Sequence, residues 1–285
     1  MIERNLVIVS GKGGVGKSAV SAAIALLAQR AGKKVLVLGM TPGPGLAAHL
    51  GIGSLEYEPI EVRPGLHAAA IDRAKALTEY LQAQMGVPQM ARFGPLARAF
   101  DALASTAPGI REVITMGKVL YEVRQRRWDL VVADAPPTGQ IASHLVAPRT
   151  VADLVPTGRI KGQAGWMDAI LGDPERTGLL LVSLAEELPV NETRETLAWL
   201  DEHHVIDVLP PVFNRVLPKL EVTAATVRRL EEGPVRDAAQ LHRSLYDGQR
   251  EWLDELPPGP RLPYLFGVNT PGEVAVRLSD LLETP

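Results

Sequence analysis

The chain has 285 residues, 46% of them apolar and 22% charged, with a formal net charge of −3. That balance suits a soluble globular protein and excludes wholesale disorder, and the slight negative charge gives no electrostatic reason to expect nucleic acid as a partner. Cysteine is absent, which rules out disulfides, thiol catalysis and any cysteine-ligated zinc or iron–sulfur centre.

The first residues hold too short an apolar run for a signal peptide, and glycines follow where a cleavage site would stand. The uncharged run from Val35 to Leu55 is interrupted by Pro42, Pro44 and several glycines, so it cannot form a spanning helix. A cytoplasmic protein is expected.

Strands alternate with helices along the chain. Leu6–Val9 is a fully apolar run ending in glycines, as a buried parallel strand should be. Residues 17–31 carry alanine and leucine at helical spacing and stop at Gly32, and a second buried strand follows at Val35–Leu38. Strand, helix and strand in this order form a βαβ unit. Further buried strands are expected at Leu130–Ala133, Leu179–Ser183, Val208–Phe213 and Leu262–Phe266. The expected fold is α/β: a doubly wound, mostly parallel sheet in one domain over residues 1–285. A helical insertion is expected at about 73–127, with Leu77, Tyr80 and Leu81 on one face and Phe93, Leu96, Phe100 and Leu103 on another. Pro88 and Pro108 mark its joints. A charged helical stretch, 220–256, is expected to break at Gly233-Pro234.

Gly11-Lys12-Gly13-Gly14-Val15-Gly16-Lys17-Ser18 fits G-x-x-x-x-G-K-[ST], with a buried strand before it and a helix after it. Glycines let successive N–H groups turn toward one anion without a Cβ in the way. The helix N-terminus adds partial positive charge, and Lys17 places a full one on the β/γ-phosphates. Ser18 offers a hydroxyl to Mg²⁺. The cradle is expected to run from Gly11 to Ser18 and on to Ala19, and to take ATP or ADP with Mg²⁺.

With its second lysine, Lys12, the loop resembles the deviant Walker A class, K-G-G-x-G-K-[ST], of MinD/ParA-like proteins, nitrogenase iron protein and the ArsA ATPases. The resemblance implies that Lys12 reaches across a dimer to the partner's phosphates. Asp134 closes its strand where a Walker B carboxylate belongs, there to hold the Mg²⁺ hydration shell. Asp134-Ala135-Pro136-Pro137-Thr138-Gly139-Gln140 resembles the D-T-A-P-T-G-H switch II of the ArsA family, departing at Ala135, Pro136 and Gln140.

Ala107-Pro108-Gly109-Ile110-Arg111-Glu112 resembles that family's P-G-x-x-E segment. Ala185–Thr193 resembles the element where a Glu lies near the nucleotide, with Glu186 the better match and Glu187 the alternative. Phe213-Asn214-Arg215 sits at a strand end where the family places an adenine-contacting Asn. An amide offers a base edge both donor and acceptor, and a turn residue is the alternative role for Asn214.

The resemblance implies an ATPase acting as a nucleotide switch, dimerising over paired nucleotides as a homodimer or with a paralogous chain. Arsenite capture and a zinc-closed dimer, both cysteine-based in relatives, are impossible here. The stretch 149–177 leaves little room for a methionine-rich groove, and Met85, Met90 and Met116 are too few to form one. The sequence does not identify a client protein.

The family's switch I, D-P-A-H, aligns with Thr41-Pro42-Gly43-Pro44, so Thr41 holds the position of the Asp that polarises the attacking water. Slow or absent hydrolysis is expected, with a non-hydrolysing scaffold or heterodimer subunit as the alternative. A MinD/ParA-like positioning factor is a further alternative. Against it, residues 271–285 carry Glu273, Asp280 and Glu283 with Arg277 alone, unsuited to anionic lipid, and Arg124, Arg126 and Arg127 make only a small basic cluster.

Overall fold

A computed structural model describes residues 1–85, 109–154 and 157–283. Its strands are β1 (Leu6–Gly11), β2 (Val35–Gly39), β3 (Ile60–Arg63), β4 (Leu66–Ala70), β5 (Leu130–Asp134), β6 (Thr177–Leu184), β7 (Val212–Val216) and β8 (Arg261–Pro263). They form one sheet in the order β3-β4-β2-β5-β1-β6-β7-β8, parallel throughout except for the β3–β4 pair. The helices described are α1 (Lys17–Arg30), α2 (Gly45–Leu50), α3 (Arg73–Met85), α4 (Ile110–Arg124), α5 (Thr138–Leu154), α6 (Arg159–Leu171), α7 (Glu187–His203), α8 (Ala224–Arg228), α9 (Pro234–Leu253) and α10 (Pro271–Glu283). The fold is the α/β sheet expected.

Side chains alternate across each strand, and both faces are covered. Leu6, Ile8, Leu36, Leu38, Val131 and Ala133 enter one core with Met116, Leu120, Ile141, Leu145 and Met167 of α4, α5 and α6. Val7, Val9, Val35, Val37, Leu130 and Val132 enter the other, with α1 and with Ala275 and Leu278 of α10. This is why the strands read as unbroken apolar runs. Helix α1 is apolar nearly all round because it lies between the sheet and α10, with Arg30 at its end bonded to Asp280 at 2.8 Å. Truncating a fully buried strand residue such as Leu6 to alanine would cost about 2–5 kcal/mol.

Several sequence expectations need correction. The strand expected at Val208–Phe213 begins only at Val212, with Val208 making an isolated bridge to Leu179. Pro210 and Pro211 have no N–H to continue a ladder. The strand expected at Leu262–Phe266 is instead Arg261–Pro263, one residue earlier at its start and shorter at its end. The β3–β4 hairpin was not anticipated. Its second strand, Leu-His-Ala-Ala-Ala, is rich in a helix-favouring residue, and becomes a strand by pairing with β2 from Val35↔Leu66 to Gly39↔Ala70.

The stretch expected as a helical insertion carries α3 and α4, with Leu77 and Met116 buried in the core. Pro88, Met90, Phe93, Leu96, Phe100, Leu103, Ala107 and Pro108 lie outside the described residues. The break at Gly233-Pro234 is present, Pro234 opening α9 where its missing N–H is harmless. Among the described residues no helix is long and apolar enough to cross a membrane.

Candidate functional site

The parallel strands bring their C-terminal ends to one rim, and the residues singled out from the sequence lie along it. In register, Val9 and Gly39 flank Asp134, Gly11 faces Val182, and Leu184 faces Asn214. Thr41 follows β2, and Glu186 follows β6. Crevices beyond the carboxyl ends of such strands are where ligands bind in open α/β sheets.

The loop Gly11–Ser18 needs its glycines. Gly11, Gly14 and Gly16 have φ of 147°, 87° and 96°, values that side-chain-bearing residues rarely adopt. A Cβ on Gly11 would strike the Val182 carbonyl, and one on Gly16 would strike the Asn214 amide. Around Gly13 and Gly14 there is instead open space, with nothing within 4 Å of a Cβ placed there. The loop is thus packed hard against the sheet on one side and open on the other, as an anion cradle requires. Ala19, buried behind it in α1, has only its backbone to offer.

Lys17 directs its ammonium to the Lys12 carbonyl at 3.2 Å. Burial lowers its pKa, with the Asp134 carboxylate working in the opposite sense. Ser18 donates to Asp134 Oδ2 at 2.6 Å, and Ser21, one turn on, donates to Oδ1 at 3.2 Å. Burial raises the Asp134 pKa against these two hydrogen bonds and the charges of Lys17 and His49. The N-terminal end of α2 closes over this corner: a Cβ at Gly45 would lie 3.3 Å from Ser18 Oγ, and His49 bonds the Gly45 carbonyl at 2.7 Å.

A hydroxyl and a carboxylate side by side are hard oxygen donors, fitting Mg²⁺ that keeps several waters and completes its shell with phosphate. No group of three or more acidic, histidine or cysteine side chains among the described residues forms a metal cage. The open cradle and the oxygen pair together fit a Mg–nucleotide.

Thr41 is exposed, two residues beyond the end of β2. Glu186 is the exposed N-cap of α7, without a side-chain capping bond, and Glu187 beside it is also exposed. Asn214 is buried, and its amide is already engaged: Nδ2 donates to the Val15 carbonyl at 2.8 Å, while Oδ1 accepts from the Arg215 N–H at 3.0 Å. It therefore serves as a turn residue and a brace for the loop, with one amide hydrogen and one lone pair left over.

Three participants were missed by the sequence reading. Ser21 had a signal, a lone hydroxyl one turn beyond Ser18 in an alanine-rich helix. Thr138 had one too, standing among the matching positions of the switch II resemblance, whereas Glu192 had none that was local. Lys12 forms an ion pair with Glu192 of α7, whose other oxygen accepts from Thr138 at 3.0 Å. Of the basic cluster, Arg127 pairs with Glu122 and Arg124 stacks over Trp166, both at the surface.

Comparison with known proteins agrees with this geometry. The family model described as anion-transporting ATPase matches residues 4–165. The ATPase BagA of Mycobacterium tuberculosis is 33% identical over 222 residues, covering 74% of this chain and 65% of BagA. The ATPase get3 of Schizosaccharomyces japonicus is 31% identical over 144 residues, 50% of this chain and 43% of that protein. An ASNA1 homolog, also an ATPase, from Entamoeba dispar is 28% identical over 155 residues, 52% and 47% of the two chains. The chain thus spans between about two-fifths and two-thirds of the length of these relatives.

Proposed function

The chain belongs to the anion-transporting ATPase (ArsA) family, and from that premise we propose that it is an ATP-binding nucleotide switch that closes as a dimer over Mg–ATP and hydrolyses it slowly or not at all. The observation that carries this reading is the phosphate loop braced between Val182 and Asn214, with Ser18 and Asp134 paired at its end. The loop's N–H groups and Lys17 grip the β/γ-phosphates. Ser18 and Asp134 are the residues that would hold Mg²⁺. When bound, Mg²⁺ neutralises phosphate charge and fixes the γ-phosphate's orientation. The family resemblance assigns Glu186 and Asn214 to the nucleoside end, and Asn214 keeps one amide hydrogen and one lone pair for that role. Lys12 supplies a cation to the partner's phosphates, since two triphosphates meeting at an interface need positive charge from both sides.

Thr41 limits turnover. A hydroxyl orients a water but does not accept its proton near neutral pH, and losing such a base typically removes ~10²–10⁴ in rate. That observation favours a second reading, in which the chain is the non-hydrolysing half of a heterodimer. Steady-state ATP hydrolysis by the purified chain, with its mass measured by sedimentation with and without Mg–ATP, tests both. An ATP-dependent dimer with weak turnover is the expected result. A mass indifferent to ATP removes the homodimer, and failure to bind nucleotide removes both readings.

A further inference from the structure

The phosphate loop carries two lysines, and they are held differently. Lys17 folds back on the loop's own carbonyl. Lys12 sends its ammonium to Glu192 on α7, a residue 180 positions away in sequence. The same carboxylate accepts from Thr138, which is buried at the start of α5, on the segment leaving Asp134. One acid thus joins the phosphate loop to the chain that follows the metal-end carboxylate.

We propose that Glu192 is a positioning residue for Lys12. It holds the lysine on its own subunit while no nucleotide is bound, and gives it up when a nucleoside triphosphate is enclosed between two subunits. The release half rests on the reading of Lys12 as a lysine acting on the partner's nucleotide. The chemistry suits a hold that must let go. The Lys12 and Glu192 side chains are 29% and 36% exposed, so water screens the pair. Such pairs shift an equilibrium by only about two- to fivefold.

On its own subunit Glu192 balances a cation whose backbone carbonyl also holds Lys17. A triphosphate carries several negative charges and outcompetes one carboxylate for the ammonium. Once Lys12 leaves, Glu192 retains only its bond from Thr138, so the loop and the segment after Asp134 rearrange together. A surface ion pair without this role would be indifferent to nucleotide.

Glu192→Gln tests this, because it keeps the size of the side chain and an acceptor for Thr138 while removing the charge. Acylation of Lys12 by an N-hydroxysuccinimide ester, followed by mass spectrometry, reads the pair in the nucleotide-free chain. The variant is expected to speed Lys12 acylation about two- to fivefold, with Lys33 unchanged as the internal control. In sedimentation with Mg²⁺ and AMP-PNP, it is expected to dimerise at about two- to fivefold lower protein concentration than the parent, an effect that vanishes on a Lys12→Ala background. An unchanged Lys12 acylation rate overturns the proposal, as does a dimerisation effect that persists without Lys12. Faster acylation with no AMP-PNP-dependent change of mass in either chain supports Glu192 as the residue positioning Lys12. It overturns the release step together with the dimer reading beneath it.

Discussion

Asn214 and Gly16 are packed so closely that a Cβ on the glycine would collide with the asparagine's amide nitrogen, which is itself bonded to the neighbouring Val15 carbonyl at 2.8 Å. The phosphate loop is therefore shaped from β7 as well as from its own glycines. Gly16→Ala must adopt an unfavourable φ near 96° and displace this brace. It is expected to cost roughly 1–3 kcal/mol of stability and to abolish measurable nucleotide binding. Urea denaturation and titration calorimetry check the two effects, and a variant that matches the parent in both would refute the packing argument.

Lys17→Ala removes a charge-assisted contact to phosphate worth roughly 1.5–3 kcal/mol, a loss of about 10- to 150-fold in affinity. Calorimetry with Mg–ADP is the measurement. An affinity equal to that of the parent would place the nucleotide elsewhere.

Thr41→Asp restores a carboxylate after β2 and is expected to raise ATP turnover by at least tenfold, with binding little changed. Comparison of steady-state rates decides it. Brisk turnover in the parent, on the order of 1 s⁻¹ or above and lost in Lys17→Ala, would show that Thr41 does not limit the chemistry.

Away from the site, α3 is tied to α4 by a buried ionic network. Lys118 bonds Glu79 at 2.7 Å and Glu122 at 2.9 Å, Trp128 donates to Glu122 at 2.9 Å, and the Tyr57 hydroxyl donates to Glu79. Burial alone would raise the Glu122 pKa, but the hydrogen bonds from Trp128 and Lys118 and the charges of Lys118 and Arg127 outweigh it and hold the group below its ordinary 4.5. A carboxylate with a depressed folded-state pKa contributes stability above the unfolded value, and that stability is lost as pH falls through the folded one. Glu122→Ala is expected to cost roughly 3 kcal/mol at neutral pH, with the gap from the parent closing as pH drops below about 4.5. Urea midpoints measured across the acid range test this, and a gap independent of pH would sink the ionic account.

Much of this molecule is written locally. The apolar runs of β1, β2 and β5, the glycines of Gly11–Ser18, and Asp134 at a strand end each carry their meaning within a few residues, because strand burial, backbone φ and loop curvature are short-range properties. The alanines of β4 gave no strand signal, and the apolar run before β7 promised too long a strand, for the complementary reason: pairing with β2 overrides alanine's helical preference, and a missing N–H outweighs an apolar run. What lay beyond the sequence is whatever depends on two distant segments meeting. Asn214 became a brace only once β7 was set beside β6, and β6 beside β1. Glu192 became the partner of Lys12 and Thr138 only once α7 was laid across the same rim. A side chain's type states what it can bond, but the partner that reaches it is decided by the packing of the sheet and helices, which no spacing within one segment records.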